Sequence, residues 1–210
     1  MFYTRKIFKI FEWTFLVLLG LFIILIICRA FYWHGQDKTN AQVEKIHATK
    51  LTLDDVMGKN LPSDPGVLAD QTVPGIDANK NGIRDDVELA VFNAYPDSAK
   101  TRAVLLQYAL ALQMETTQPM VNTETVTEIV TEEGRGDSCV ADTLVPRESP
   151  ESSRSNADME KIDTFINFIE GKQFNTDIRK ETRKNFLKNL RSYGDSTNIE
   201  CDIDVSKLLN

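Results

Sequence analysis

Hydrophobic positions in this chain form one unbroken block near the start and then a series of spaced stripes. The block, WTFLVLLGLFIILIIC from Trp13 to Cys28, has no charged residue; Arg29 then interrupts, and Ala30, Phe31, Tyr32 and Trp33 follow. At 1.5 Å per residue the charge-free block is short for a roughly 30 Å hydrocarbon core, but the run 13–33 is long enough. Arg29 near one end can snorkel to the headgroups, and Trp13, Tyr32 and Trp33 stand where interfacial aromatics belong. The reading is a transmembrane signal anchor over 13–33, preferred over a buried core helix. A cleaved signal peptide would need a small-x-small site where the chain is bulky and aromatic. A lipidated Cys28 would need a small residue where Ile27 stands. Arg5, Lys6 and Lys9 precede the span, so the positive-inside rule keeps residues 1–12 in the cytoplasm. The expected location is the inner (cytoplasmic) membrane, single-pass, with the remainder in the periplasm or outside.

Beyond the span, residues 34–60 are polar apart from Leu51, Leu53 and Val56, and read as a stalk carrying at most a short helix. Three prolines and two glycines in 61–76 leave no room for a long regular element. Val87, Ala90, Val91, Ala94 and Tyr95 repeat at three and four residues, predicting an amphipathic helix from about Arg84 that Pro96 ends. The next helix, Ala99 to Glu115, is apolar nearly all round, which predicts a helix buried on most sides. Gln107 and Gln113 within it and Lys100 and Arg102 at its start favour a soluble core helix over a second membrane span.

Residues 125–133 carry Val126, Ile129 and Val130 at helical spacing, but the β-branched side chains also permit a strand. Arg135, Gly136 and Asp137 spell a tripeptide known as an adhesion signal, a match short enough to arise by chance. Residues 143–157 read as an exposed loop. A helix is expected over Asp158–Glu170. A last one, capped by Asn175 or Thr176, has Ile178, Thr182, Phe186, Leu190 and Tyr193 on one stripe and stops at Gly194. Its other face carries Arg179, Lys180, Arg183, Lys184, Lys188 and Arg191, and is expected to be solvated or to dock a partner. The expected fold is all-α: an N-terminal transmembrane helix followed by a small helical domain over 61–210.

Composition narrows the chemistry. Lys and Arg total 24 against 31 Asp and Glu in 210 residues, a formal charge of −7, which argues against nucleic acid as a partner. The two histidines, His34 and His47, lie in or near the stalk and leave little for a His-rich zinc site or a Ser-His-Asp triad. Cys139 and Cys201 form an even pair beyond the span, so a disulfide is expected in an oxidising compartment; two separate buried thiols are the alternative.

One motif carries sharp chemistry. Residues 77–88, DANKNGIRDDVE, place side-chain oxygens at loop positions 1, 3 and 5, glycine at 6 and glutamate at 12, as a calcium loop requires. Calcium takes six to eight hard oxygens. Asp77, Asn79 and Asn81 reach inward, the Ile83 carbonyl fills position 7, Asp85 stands at 9, and Glu88 can clamp with both oxygens. The competing reading is an Asn-Gly turn leading into an acidic helix start, with Asp85, Asp86 and Glu88 at the positive end of the helix dipole.

The loop resembles the EF-hand-like calcium loops of thrombospondin type 3 repeats and related bacterial envelope proteins, where Ile at position 7 and Asp at 9 are familiar. The stretch from about Gly75 to Met114 is also similar to a group of uncharacterised bacterial membrane or exported proteins, in which an NGIRDDVE-like segment leads into a helix and a YPDSAKTR-like turn. The resemblance implies Ca²⁺ as the cofactor, with Asp77, Asn79, Asn81, Ile83, Asp85 and Glu88 as ligands, and brings no activity with it. The chain departs from a paired EF-hand. Pro74-Gly75 stands where an entering helix would be, Arg84 occupies position 8, and there is no second loop. These departures point to a structural ion clip rather than a groove-opening switch. The expected function is a non-enzymatic interaction or structural module of the cell envelope, held in the lipid bilayer through 13–33, with an envelope protein as candidate partner. The alternative is an envelope-polymer hydrolase using paired carboxylates, though no pair stands out in sequence.

Overall fold

The computed structural model describes residues 2–149, 151–191 and 200–209; Tyr193 and Gly194, in the expected end of the last helix, lie outside them. All regular structure among the described residues is helical, as expected. The chain divides into two compact units, Met1–Ala41 and Gln42–Asn210.

Helix α1, Phe2–Ala48, contains the apolar block. It is the one helix among the described residues long and apolar enough to cross a membrane, with a mean hydropathy of 2.7 in its most apolar window. Its large apolar side chains from Phe11 to Trp33 are exposed, as a lipid-facing surface would be. The Arg29 guanidinium lies 5.5 Å from the centre of the Trp33 ring, at the end of the apolar run.

The second unit begins earlier than the sequence pattern indicates. Ile46, Leu51 and Val56 are buried in its core, so the end of α1 and the turn that follows are part of the domain rather than a stalk. Thr52 caps the short α2, Leu53–Val56, in a reciprocal capping box with Asp55. A 3₁₀ turn at Gly66–Asp70 precedes α3, Asp85–Ala94. Helices α4 (Ala99–Thr117), α5 (Thr123–Leu144), α6 (Asn156–Gln173) and α7 (Asp177–Leu187) complete the bundle. Helix α4 is the central element that its all-round apolar sequence predicts. It packs against α2, α3, α5, α6 and α7, and its side chains from Arg102 to Glu115 are buried.

Residues 125–133 are helical and belong to a longer helix than expected. In α5, Gly134 and Gly136 interrupt the apolar pattern without breaking the helix. Gly136 is there for close packing, because a Cβ at this position would stand 3.0 Å from the Tyr108 Cα. The adhesion-like tripeptide is thereby folded into the middle of α5, with Arg135 buried.

Helix α7 is rotated relative to the expected stripe. Ile178 is 60% exposed, while Arg179 is 1% exposed and Arg183 is partly buried. Arg179 donates to the carbonyls of Ala69, Thr72 and Val73 and pairs with Asp70 at 2.6 Å, pinning the 3₁₀ turn. Each carbonyl would otherwise lose a partner on burial, which outweighs the modest gain from burying Ile178. The basic face is therefore divided, with Lys180, Lys184 and Lys188 left outside.

Arg183 serves three carboxylates from three other helices. Its guanidinium lies 3.3 Å from Glu115 of α4 and 2.9 Å from both Glu133 of α5 and Glu170 of α6. One cation cannot neutralise three acids. Burial, with the nearby Glu133 charge, pushes the Glu115 carboxyl up to about 9. A folded-state value above that of the unfolded chain means that folding takes up a proton. This contribution to stability is present in full below the ordinary glutamate value of about 4.3, and is lost as pH rises through 9. We expect Glu115→Gln to flatten the fall in melting temperature between pH 5 and 9 relative to the parent chain. Parallel profiles for the two proteins would show that Glu115 is not the group responsible.

Candidate metal centre

The 77–88 loop follows the 3₁₀ turn, runs into the first turn of α3 and is organised by its own side chains. The Asp77 carboxylate accepts from the backbone N–H of Asn81 (3.2 Å) and of Gly82 (3.0 Å). The Asn81 side chain accepts from the Ile83 N–H at 2.9 Å, and Asp85 accepts from the Ala78 N–H at 3.0 Å. The chain turns back sharply at Lys80 and Gly82, with φ of 60° and 85°. Glycine suits the second position on two counts: its conformation, and the Leu110 methyl that would stand 2.8 Å from an added Cβ. Ile83 is fully buried and anchors the loop in the core.

Glu88 brings the far end of the motif back to the start. It is 1% exposed and accepts from the Asn79 side-chain amide at 3.0 Å. Asp77, Asn79, Asn81, Asp85 and Glu88 are thus joined locally by hydrogen bonds among themselves and the loop backbone. Burial pushes the Glu88 carboxyl up to about 7 against the opposing pull of the Asn79 and Asn81 amides; Asp55 and Asp85 add to the rise. Burial likewise raises Asp85.

The donor chemistry suits a hard divalent cation. Among the described residues, none of Asp55, Asp77, Asp85 and Glu88 forms an ion pair with Lys or Arg. The neighbouring cation, Arg84, is turned away toward Asp86 and the end of α6. Amide oxygens at Asn79 and Asn81 complete a set of neutral and charged oxygens of the kind calcium takes. Asn79 now presents its amide N–H₂ to Glu88, and a half-turn of the amide exchanges donor for acceptor. No group of three or more His, Cys, Asp and Glu side chains among the described residues is gathered as a metal site on its own. Any ion here would depend on the amides and the backbone as well as the acids.

Two neighbours of the loop are not visible in the twelve-residue pattern. The Asn60 carbonyl accepts from the Asn79 amide at 3.1 Å, and Asp55 Oδ1 faces the Asn81 amide at 3.5 Å. A Thr-x-x-Asp capping signal at 52–55 marks the α2 start in sequence, but nothing there indicates its position beside a loop more than twenty residues away.

Acids also gather away from the loop. A 460 Å³ cavity between α5 and α6 is lined by Glu133, Asp137, Asp142 and Asp163. Glu133 is held by Arg183, and Asp142 pairs with Arg154. No protein-family model, curated protein or solved structure matches the chain.

Proposed function

We propose that this is a single-pass membrane protein whose extracytoplasmic helical domain is fastened by one structural calcium ion, and that it acts as a non-enzymatic interaction or structural module of the cell envelope. The observation that carries the ion reading is Glu88, a buried carboxylate near Asp55 and Asp85 that the Asn79 and Asn81 amides contact, and that pairs with no Lys or Arg among the described residues. Asp77, Asn79, Asn81, the Ile83 carbonyl, Asp85 and Glu88 would hold the ion. Its charge would offset the repulsion among the three acids and join the incoming chain to the start of α3. The N-in orientation has the support of the basic flank before the span and of the Cys139–Cys201 disulfide, a bond that persists in oxidising compartments.

Calorimetric titration of the full chain in detergent is expected to give one calcium site of modest affinity, roughly 10⁻⁴ to 10⁻³ M, the range of extracellular modules. At calcium 100 times the dissociation constant the fold should gain about 2.7 kcal/mol, read as a shift of the domain's melting transition. Glu88→Gln should remove most of that shift, whereas Glu181→Gln, on the exposed face of α7, should leave it intact. A melting transition indifferent to calcium and chelator would leave the loop as an acidic helix start only.

A further inference from the structure

Where α4, α5, α6 and α7 meet, one buried acid has been left without a hydrogen bond. Both carboxylate oxygens of Glu115 are buried and accept none, and the Arg183 Nε, 3.3 Å away, is likewise buried and donates none. The guanidinium is committed elsewhere. Its Nη2 donates to Glu133 at 2.9 Å and stands 2.9 Å from Glu170, which also accepts from the Tyr108 hydroxyl at 3.2 Å. Its face lies 4.5 Å from the centre of the Phe174 ring. A buried carboxylate that accepts no hydrogen bond is the costly form of the group, whereas the acid form needs an acceptor for one O–H. Glu133 is that acceptor, within hydrogen-bonding reach of Glu115. The other groups facing the pair are Glu170 of α6 and Arg183 of α7; Tyr108 of α4 lies beside them, with Asp137 of α5 acting on it.

We propose that Glu115 and Glu133 share one proton, and that this proton latches the second half of α7 onto the bundle. The first turn of α7 is held separately, by the Arg179 contacts with the carbonyls of Ala69, Thr72 and Val73. The latch therefore governs the part from Arg183 to Leu187, which includes the buried Phe186. With the proton in place, Glu115 donates to Glu133 and two carboxylates face Arg183. Without it, a third charge occupies a site that offers it no hydrogen bond and sets it against the other two. Turning the Arg183 half of α7 outward admits water to Glu115 and relieves both costs. The proton also has a route. Glu133 and Tyr108 line the 460 Å³ cavity between α5 and α6, so the pair meets solvent at Glu133, while Glu115 is closed off behind it. The released half stays tethered, by α6 before it and by the Cys139–Cys201 bridge beyond it. This device stands apart from the calcium reading of the 77–88 loop.

Hydrogen exchange of the full chain in detergent micelles, followed as a function of pH beside Glu115→Gln, tests the latch. The glutamine keeps a donor toward Glu133 at every pH, and comparing the two proteins at the same pH cancels the intrinsic pH dependence of exchange. Seating α7 takes up one proton. The second half of α7 in the parent should therefore exchange about tenfold faster, relative to the variant, for each unit of pH between about 5 and 8. The ratio should level off at about 9, where Glu115 ionises in the seated state. These amides should also exchange faster than those in the middle of α4 throughout, because α7 loosens without the domain unfolding. Glu133→Gln is the second variant. It removes the charge that, after burial, does most to hold the Glu115 proton, so its α7 exchange should level off at a lower pH than the parent's. A ratio that does not change with pH overturns the latch, as does α7 exchange no faster than that of α4. An unchanged levelling pH in Glu133→Gln overturns the shared proton.

Discussion

Removing the Cys139–Cys201 disulfide is expected to cost the domain roughly 4 kcal/mol, the chain-entropy value for a loop of this length. For a domain of this size that corresponds to a fall in melting temperature of about 8–16 °C. The bridge joins α5 to the segment 200–209, which has little regular structure beyond the 3₁₀ turn Val205–Lys207. Polar contacts converge on the same segment. Asp202 pairs with Arg135 at 2.9 Å, approaches Lys50 at 3.5 Å and accepts from the Leu51 N–H at 3.1 Å. Gln107 holds the Glu200 carbonyl and the Asp202 N–H at 2.7 and 2.8 Å. In the double variant Cys139→Ala, Cys201→Ser these contacts must bear the ordering entropy of the segment alone. Increased hydrogen exchange is therefore expected at 200–209 and at 50–51 together. Cys28→Ser, in the exposed surface of α1, should leave the domain's transition unchanged. A double variant within about 1 kcal/mol of the parent chain would show that the Asp202 contacts suffice without the covalent bond.

The features legible in the sequence are those written locally. The apolar block of α1, the all-round apolarity of α4 and the spaced oxygens of 77–88 each lie within one segment and need no partner to be recognised. The expected all-α class and the disulfide agree with the structure. What escaped depends on contacts between distant segments. Ile46, Leu51 and Val56 are few apolar residues in a polar stretch, and only their burial reveals that the domain begins before residue 61. Gly134 and Gly136 hid the second half of α5 because glycine is a poor helix former, while at Gly136 its value is the close approach of Tyr108. Arg179 and Arg183 look like a solvated face until the carbonyls and carboxylates that receive them are seen. Hydrophobic periodicity presumes that charged residues point outward, and α7 violates that presumption at two positions.

Arg84 is another inward-facing arginine, and its removal should have an effect comparable to loss of the disulfide. At loop position 8 it marks a departure from the EF-hand pattern, and the structure supplies a reason for it. The side chain is fully buried. It donates to the carbonyls of Gln173 and Lys172 at the end of α6, at 3.0 and 2.7 Å, and makes a two-point pair with Asp86 at 2.5 and 2.9 Å. A positive charge at a helix C-terminus also complements the helix dipole. The stem of Arg84 fills the space above Gly75, where an added Cβ would stand 2.2 Å from its Cδ, so the Pro74-Gly75 turn and this arginine form one packed unit. Arg84→Met keeps the stem but strands two carbonyls and the Asp86 carboxylate, at a cost of about 3–5 kcal/mol, the range for breaking a buried ionic contact. Arg84→Lys restores the charge but cannot serve both carbonyls and Asp86 at once, so it should recover only part of the loss. Neither change removes a loop oxygen. In whatever fraction remains folded, calcium should still bind with one equivalent, in contrast to Glu88→Gln, which keeps the α6 contacts and loses the ion. Chemical denaturation read alongside calcium titration separates the two. A loss under 1 kcal/mol in Arg84→Met would mean that water replaces the guanidinium at the end of α6, and that the loop does not need this pin to keep its place.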